Sequence, residues 1–308
     1  MTTATSKPTA AGTNTPTGSR EGCYRPPVRK KVEQKDVAAE LLPGADPALL
    51  QALHLLTRDG DLNADARRKV KQINHLIGLL RPALDDVLAR FPSPVVVDAG
   101  AGKSYLGFLL YQLVLGPSAK GELYGVESRP ELAQKAGALA AQLGFSRFHS
   151  VESTLNSAPL PERVHLVTAL HACDTATDDA LLLALKTNAD YVAVVPCCQA
   201  EVAQQLKAHP APGAIGALSA HPWHRRELGS HLTNVIRALV LEANGYQVTV
   251  TELAGWEHSL KNELILGKRV QRFDRAAQAK LDQLLSESGV RPKLVRELPS
   301  QTAAPTLE

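Results

Sequence analysis

The spacing of hydrophobic residues changes twice along the chain, and the changes divide it. Residues 1–35 offer no apolar run to bury, which predicts a disordered tail. From 36 to 91 apolar positions recur at helical spacing: Leu49, Leu50, Leu53 and Leu56, then Val70, Ile73, Ile77, Leu80, Leu84 and Val87. Asp46-Pro47 reads as a helix start, and Gly60 and Asn63 punctuate the two stretches. From 92 to 270 the rhythm turns to short runs rich in β-branched residues: Pro94–Asp98, Leu123–Glu127, Val164–Leu170, Tyr191–Val195, Tyr246–Glu252 and Leu264–Leu266. Helical segments at Tyr105–Leu115, Pro130–Leu143 and Asp178–Leu185 separate the earlier runs. This alternation predicts an α/β fold, a doubly wound and mostly parallel sheet. The last two runs lie close enough to form a hairpin, adding an antiparallel edge. Residues 271–308 hold one amphipathic helix around Ala276, Ala277, Leu281, Leu284 and Leu285, then a frayed tail.

Composition narrows the function classes. A hydrophobic share of 44% and a charged share of 21% are those of an ordinary globular protein. No apolar stretch approaches the ~18 residues of a membrane span, and the first 19 residues do not read as a secretory signal. Four cysteines, with Cys197 and Cys198 adjacent, make no disulfide framework for 308 residues, so a cytoplasmic setting is expected. The net charge of +3 permits an anionic partner without demanding one, and 4% aromatic residues limit any base-stacking surface. The tail carries Lys7, Arg20, Arg25, Arg29, Lys30, Lys31 and Lys35 against Glu21 and Glu33. It is either a solubilising leader or a basic arm for nucleic acid phosphates. Oligomeric state is not legible.

Asp98-Ala-Gly100-Ala-Gly102-Lys103-Ser104 lies between a strand and a helix, where open α/β sheets bind ligands. A phosphate-binding loop would need glycine at Val97, and a dinucleotide fingerprint would need glycine at Tyr105. S-adenosylmethionine has no pyrophosphate and needs fewer glycines. Asp98 is suited to its ammonium group, directly or through water. Glu127, ending the next run, is suited to both ribose hydroxyls. Gly100, Gly102, Lys103, Tyr105, Ser128, Glu152 and His171 complete the expected cofactor contacts.

Two further strand ends carry unusual residues: His171-Ala-Cys173-Asp174-Thr-Ala-Thr177-Asp178, and Pro196-Cys197-Cys198. This pair of motifs resembles a methyltransferase domain of the class I, Rossmann-like type, found in bacterial and eukaryotic proteins. One of these is a mammalian protein that joins the domain to a glutathione-transferase-like module. A related pattern occurs in a tRNA 2′-O-methyltransferase family. The resemblance covers roughly residues 69–268 and implies S-adenosylmethionine as cofactor, with RNA as a candidate acceptor. Three readings of the cysteines stand: zinc ligands with His171, a nucleophile, or small polarizable walls of the transfer pocket. The last needs no further assumption, and no metal is expected. His171 and Asp174 are the candidate proton acceptors, with Cys197 and Cys198 beside them. Alternatively, Asp174 or Asp178 caps the following helix. A Lys-Asp-Lys-Glu tetrad is incomplete: Lys69 or Lys71, Asp174 and Glu252 supply three members, but Cys197 stands where a second lysine is needed.

On the substrate side, Lys71, Asn74 and His75 share a helix face. Trp223, Arg225 and Arg226 combine an aromatic with two guanidiniums, suiting a base and a phosphate. Trp256, His258, Ser259, Lys261 and Asn262 mark the hairpin loop, where Lys261 and Asn262 could pin the last two strands together. The expected function is methyl transfer to tRNA or rRNA. The alternatives are a protein side chain or small metabolite as acceptor, or RNA binding without catalysis.

Overall fold

The computed structural model describes residues 42–57, 59, 61–62, 64–170, 172, 174–196, 199–253 and 263–298. Two helices open it, α1 (Pro47–Ala52) and α2 (Ala64–Arg90). The Asp46 carboxylate accepts from the Ala48 amide at 2.8 Å, so the helix start read from Asp46-Pro47 is an N-cap with proline in the first turn. The apolar stripe from Val70 to Val87 faces inward along α2, every member buried.

Seven strands follow: β1 (Val95–Ala99), β2 (Glu122–Glu127), β3 (Phe148–Glu152), β4 (Leu166–Leu170), β5 (Tyr191–Val195), β6 (Tyr246–Glu252) and β7 (Glu263–Arg269). They form one sheet in the order β3-β2-β1-β4-β5-β7-β6. The first five are parallel, and β7 runs antiparallel to both β5 and β6. The doubly wound sheet with an antiparallel edge hairpin is therefore present as expected. β3 corrects the pattern reading, which passed over it. Phe-His-Ser-Val-Glu is half polar because β3 is an edge strand with only Phe148 fully buried.

The remaining helices are α3 (Tyr105–Leu110), which continues as a π-turn through Leu115, α4 (Pro130–Gln142), α5 (Thr175–Lys186), α6 (Glu201–Ala208), α7 (Gly213–Ser219), α8 (Pro222–Ala243), α9 (Arg275–Ser288) and α10 (Lys293–Arg296). Two cores sandwich the sheet. One joins α1, α2, α3 and α4 to side chains such as Val96, Leu123 and Tyr191. The other joins α5, α6, α8 and α9 to Val97, Val167 and Val194. The opening helices thus share a core with the sheet. At the amino edge, His165 Nδ1 accepts from the Val95 amide at 2.9 Å, and burial holds this imidazole below its ordinary pKa. The opposite, carboxyl edge gathers Asp98, Glu127, Glu152, Leu170 and Val195.

Candidate active site

The loop after β1 turns twice through left-handed backbone, at Gly100 (φ 65°) and Gly102 (φ 59°), where a side chain would be strained. Ser104 is also left-handed (φ 55°) and buried. Its hydroxyl and that of Thr168 each stand 3.5 Å from the Asp98 carboxylate, and the Gly107 amide donates to it. Asp98 is only 2% exposed, so it braces the loop from beneath. Burial pushes its carboxyl up to about 7. A raised acid stabilises the fold where it is protonated. That contribution is full below the unfolded value near 3.8 and is lost as pH rises to about 7. Ionisation then costs about 4 kcal/mol in the absence of a cation. Asp98→Asn is expected to gain stability over the natural chain at about pH 8 and much less at about pH 5. Urea unfolding at both pH values checks this, and an equal change at both would refute it.

Glu127 is a buried acid at the end of β2. The Gly102 amide donates to Oε2 at 2.7 Å, tying the first loop to the end of β2. The Arg129 amide and Nε donate to Oε1 at 3.0 and 2.8 Å, and Arg129 Nη2 reaches Oε2 at 3.2 Å. Burial pulls the Glu127 carboxyl upward, but these donors outweigh it and hold it below its ordinary value. The Arg129 side chain is 59% exposed and the Glu127 side chain 6%. Ser128 is exposed beside Glu127. Glu152 ends β3 and accepts weakly from Gln134 at 3.4 Å. Lys103 and Tyr105 line a groove formed with α1 and α4 whose walls include none of Gly100, Gly102 and Glu127.

His171, Cys173, Cys197 and Cys198 lie outside the described residues; their neighbours do not. Asp174 is held at φ 48° and ψ −117°, an unfavourable backbone for a residue with a side chain. Its carboxylate accepts from the Ala200 amide at 3.2 Å, so it latches the β4 end to the segment after β5 and makes no side-chain cap. Asp178, 2% exposed, pairs at 2.7 Å with Arg237 of α8, itself 1% exposed. Arg237 also donates to the Asp174 carbonyl at 2.9 Å and to Asn234 Oδ1 at 3.2 Å. Asn234 accepts from Gln199 Nε2 at 3.1 Å and donates to Glu263 at 2.9 Å, and Ser230 donates to Gln199 at 2.8 Å. One buried network therefore fixes the segments that follow β4 and β5 and the start of β7. Sequence reading missed Arg237, Asn234 and Gln199. The available signal was a lone arginine inside the apolar helical run Val235-Ile236-Arg237-Ala238-Leu239.

Of the substrate-side residues, Lys71 is exposed on α2 with Asn74 half-buried one turn on. Lys69 pairs with Asp65 at 2.7 Å. Trp223 is 60% exposed at the start of α8, and the Arg226 guanidinium lies 4.3 Å from its ring centre. Arg225 instead donates to the Ser219 carbonyl at 3.1 Å, closing the end of α7. Trp256, His258, Ser259, Lys261 and Asn262 lie outside the described residues.

Residues 68–205 match the sequence model of a family described as a methyltransferase domain. A curated relative of this domain, the glutathione S-transferase C-terminal domain-containing protein of Bos taurus, is 25% identical over 232 residues. That alignment spans 68% of this chain and 35% of the relative, so the chain covers about a third of the curated relatives it matches. Among solved structures, magnesium protoporphyrin IX methyltransferase from Synechocystis superposes with a TM-score of 0.44 at 15% identity, over 72% of this chain and 95% of that one. An rRNA methylase from Streptococcus thermophilus gives 0.42 at 12% identity, over 63% and 96%. The strand order is that of the doubly wound sheet with an antiparallel edge hairpin expected from the sequence. Among the described residues no helix is long and apolar enough to cross a membrane.

Proposed function

We propose that this methyltransferase moves a methyl group from S-adenosylmethionine to RNA, with tRNA or rRNA as acceptor. The observation that carries the cofactor half is the Glu127 carboxylate bonded at 2.7 Å to the Gly102 amide across the end of the sheet. Two left-handed glycines leave room for a ligand against the backbone there, and an acid with displaceable donors suits a ribose diol. Gly100, Gly102, Glu127, Ser128 and Glu152 would hold the cofactor, with Asp98 beneath the loop. The cofactor supplies an activated methyl group. Asp174 or His171 takes the acceptor's proton, and the Cys197-Cys198 segment walls the transfer site. The exposed Trp223–Arg226 stack supports an RNA acceptor, since an aromatic face with a guanidinium suits a base and its phosphate. A small acceptor is the second reading, favoured by the cleft of about 330 Å³ lined by Gln199, Ser230, Asn234 and Glu263.

The test incubates the protein and tritiated S-adenosylmethionine with total RNA and total protein from cells lacking it. Label is expected in RNA and lost on ribonuclease treatment. Glu127→Ala should weaken S-adenosylhomocysteine binding by about 1–3 kcal/mol in calorimetry. Label in protein or small molecules overturns the RNA acceptor, and unchanged affinity in the variant overturns the cofactor assignment.

A further inference from the structure

The groove beside the glycine loop carries chemistry that the methyl-transfer reading does not use. It has a volume of about 510 Å³ and lies between the end of α1, the start of α3 and the length of α4. Its apolar floor includes the half-buried Leu132 and Leu139, and Tyr105 adds a half-buried aromatic ring. Around this floor stand His54, Lys103 and Lys135, and no carboxylate lines it. No ion pair of Lys103 or Lys135 occurs among the described residues, so both charges are available.

An apolar floor beneath uncompensated cations selects a ligand with a flat apolar body and an anionic group. A nucleotide has both. The chain's own tail is a poor occupant, because residues 1–35 carry seven lysines and arginines against two glutamates and share the groove's sign. Lys103 also belongs to the loop that carries Gly100 and Gly102, so a nucleotide here would sit within one residue of the cofactor loop.

We propose that this groove binds one nucleotide of single-stranded RNA, its phosphate between Lys103 and Lys135 and its base on the apolar floor beside Tyr105. The proposal deepens the RNA reading and rests on it. The groove would grip a nucleotide flanking the methylated one and so set which position in the strand reaches the transfer site.

The test is fluorescence anisotropy of a labelled short single-stranded RNA with the full chain, without cofactor, over a range of salt. Lys135→Glu is expected to weaken binding about tenfold and to reduce the log–log salt slope by about 0.7, the loss of one phosphate contact. Lys280→Glu, an exposed position on α9, is the control and should change neither by more than about twofold. S-adenosylhomocysteine affinity, measured separately, should be the same in both variants. Equal effects of the two reversals, or no RNA binding by the natural chain, overturn the proposal. A nucleoside monophosphate competing as well as the oligomer makes the ligand a free nucleotide and overturns it too. If RNA binds as expected but S-adenosylhomocysteine does not, the cofactor reading fails and the groove assignment stands.

Discussion

Asp174→Ala is expected to cut turnover by roughly 10²- to 10⁴-fold while leaving S-adenosylhomocysteine affinity within about threefold. The residue stands immediately before α5, and its carboxylate accepts at 3.2 Å from the Ala200 amide, two residues after Cys198. A carboxylate there can accept the proton that an oxygen or nitrogen acceptor must lose. Its backbone supports this role, because φ 48° with ψ −117° is maintained only where surrounding contacts impose it. Turnover at saturating cofactor separates the roles. A large fall in kcat with unchanged affinity fits a proton acceptor. A fall of only a few fold would reduce Asp174 to a latch between two loops and move the proton to His171. Asp174→Asn keeps the latch geometry and should be nearly as slow as the alanine variant.

Arg237→Ala is expected to destabilise the fold by about 3–5 kcal/mol, the cost of leaving a buried carboxylate without its partner. Asp178 and Arg237 are both fully enclosed, and the guanidinium also serves the Asp174 carbonyl and Asn234. The paired replacement Asp178→Leu with Arg237→Met removes both charges at similar volume and should recover most of that loss. Denaturant unfolding of the single and double variants measures the difference. A single-variant loss below about 1 kcal/mol would mean that solvent reaches the pair despite its burial. The double variant should still turn over slowly, since the Asp174 backbone has lost its anchor.

Sequence patterning reached far in this chain because most strands are buried on both faces. Runs such as Val95–Ala99 and Tyr191–Val195 are wholly apolar apart from Asp98, and they stand out against helical spacing. β3 did not stand out, since an edge strand keeps polar residues on its open side. The helices between β5 and β6 were also passed over, because α6 and α7 are short and α8 opens with polar residues. In the site, the acids at the ends of β1 and β2 were visible as terminators of apolar runs. Their division of labour was not: Asp98 is enclosed and Glu127 bears the loop amide, a difference of burial that spacing does not encode. The Arg237 network joins residues 59 positions apart in sequence (178 and 237), and only packing of α8 against α5 brings them together.

Arg129 gives Glu127 a built-in occupant. Its side chain occupies both Glu127 carboxylate oxygens, so on the proposed cofactor reading a ribose would enter by exchange with a charged group. Added salt weakens that contact in part, because the guanidinium is exposed while the Glu127 carboxylate is only 6% exposed. The same salt loosens any hold on a phosphate backbone. If RNA is the acceptor, as proposed, cofactor entry and RNA binding would answer ionic strength in opposite directions. On that reading turnover would be greatest at an intermediate ionic strength.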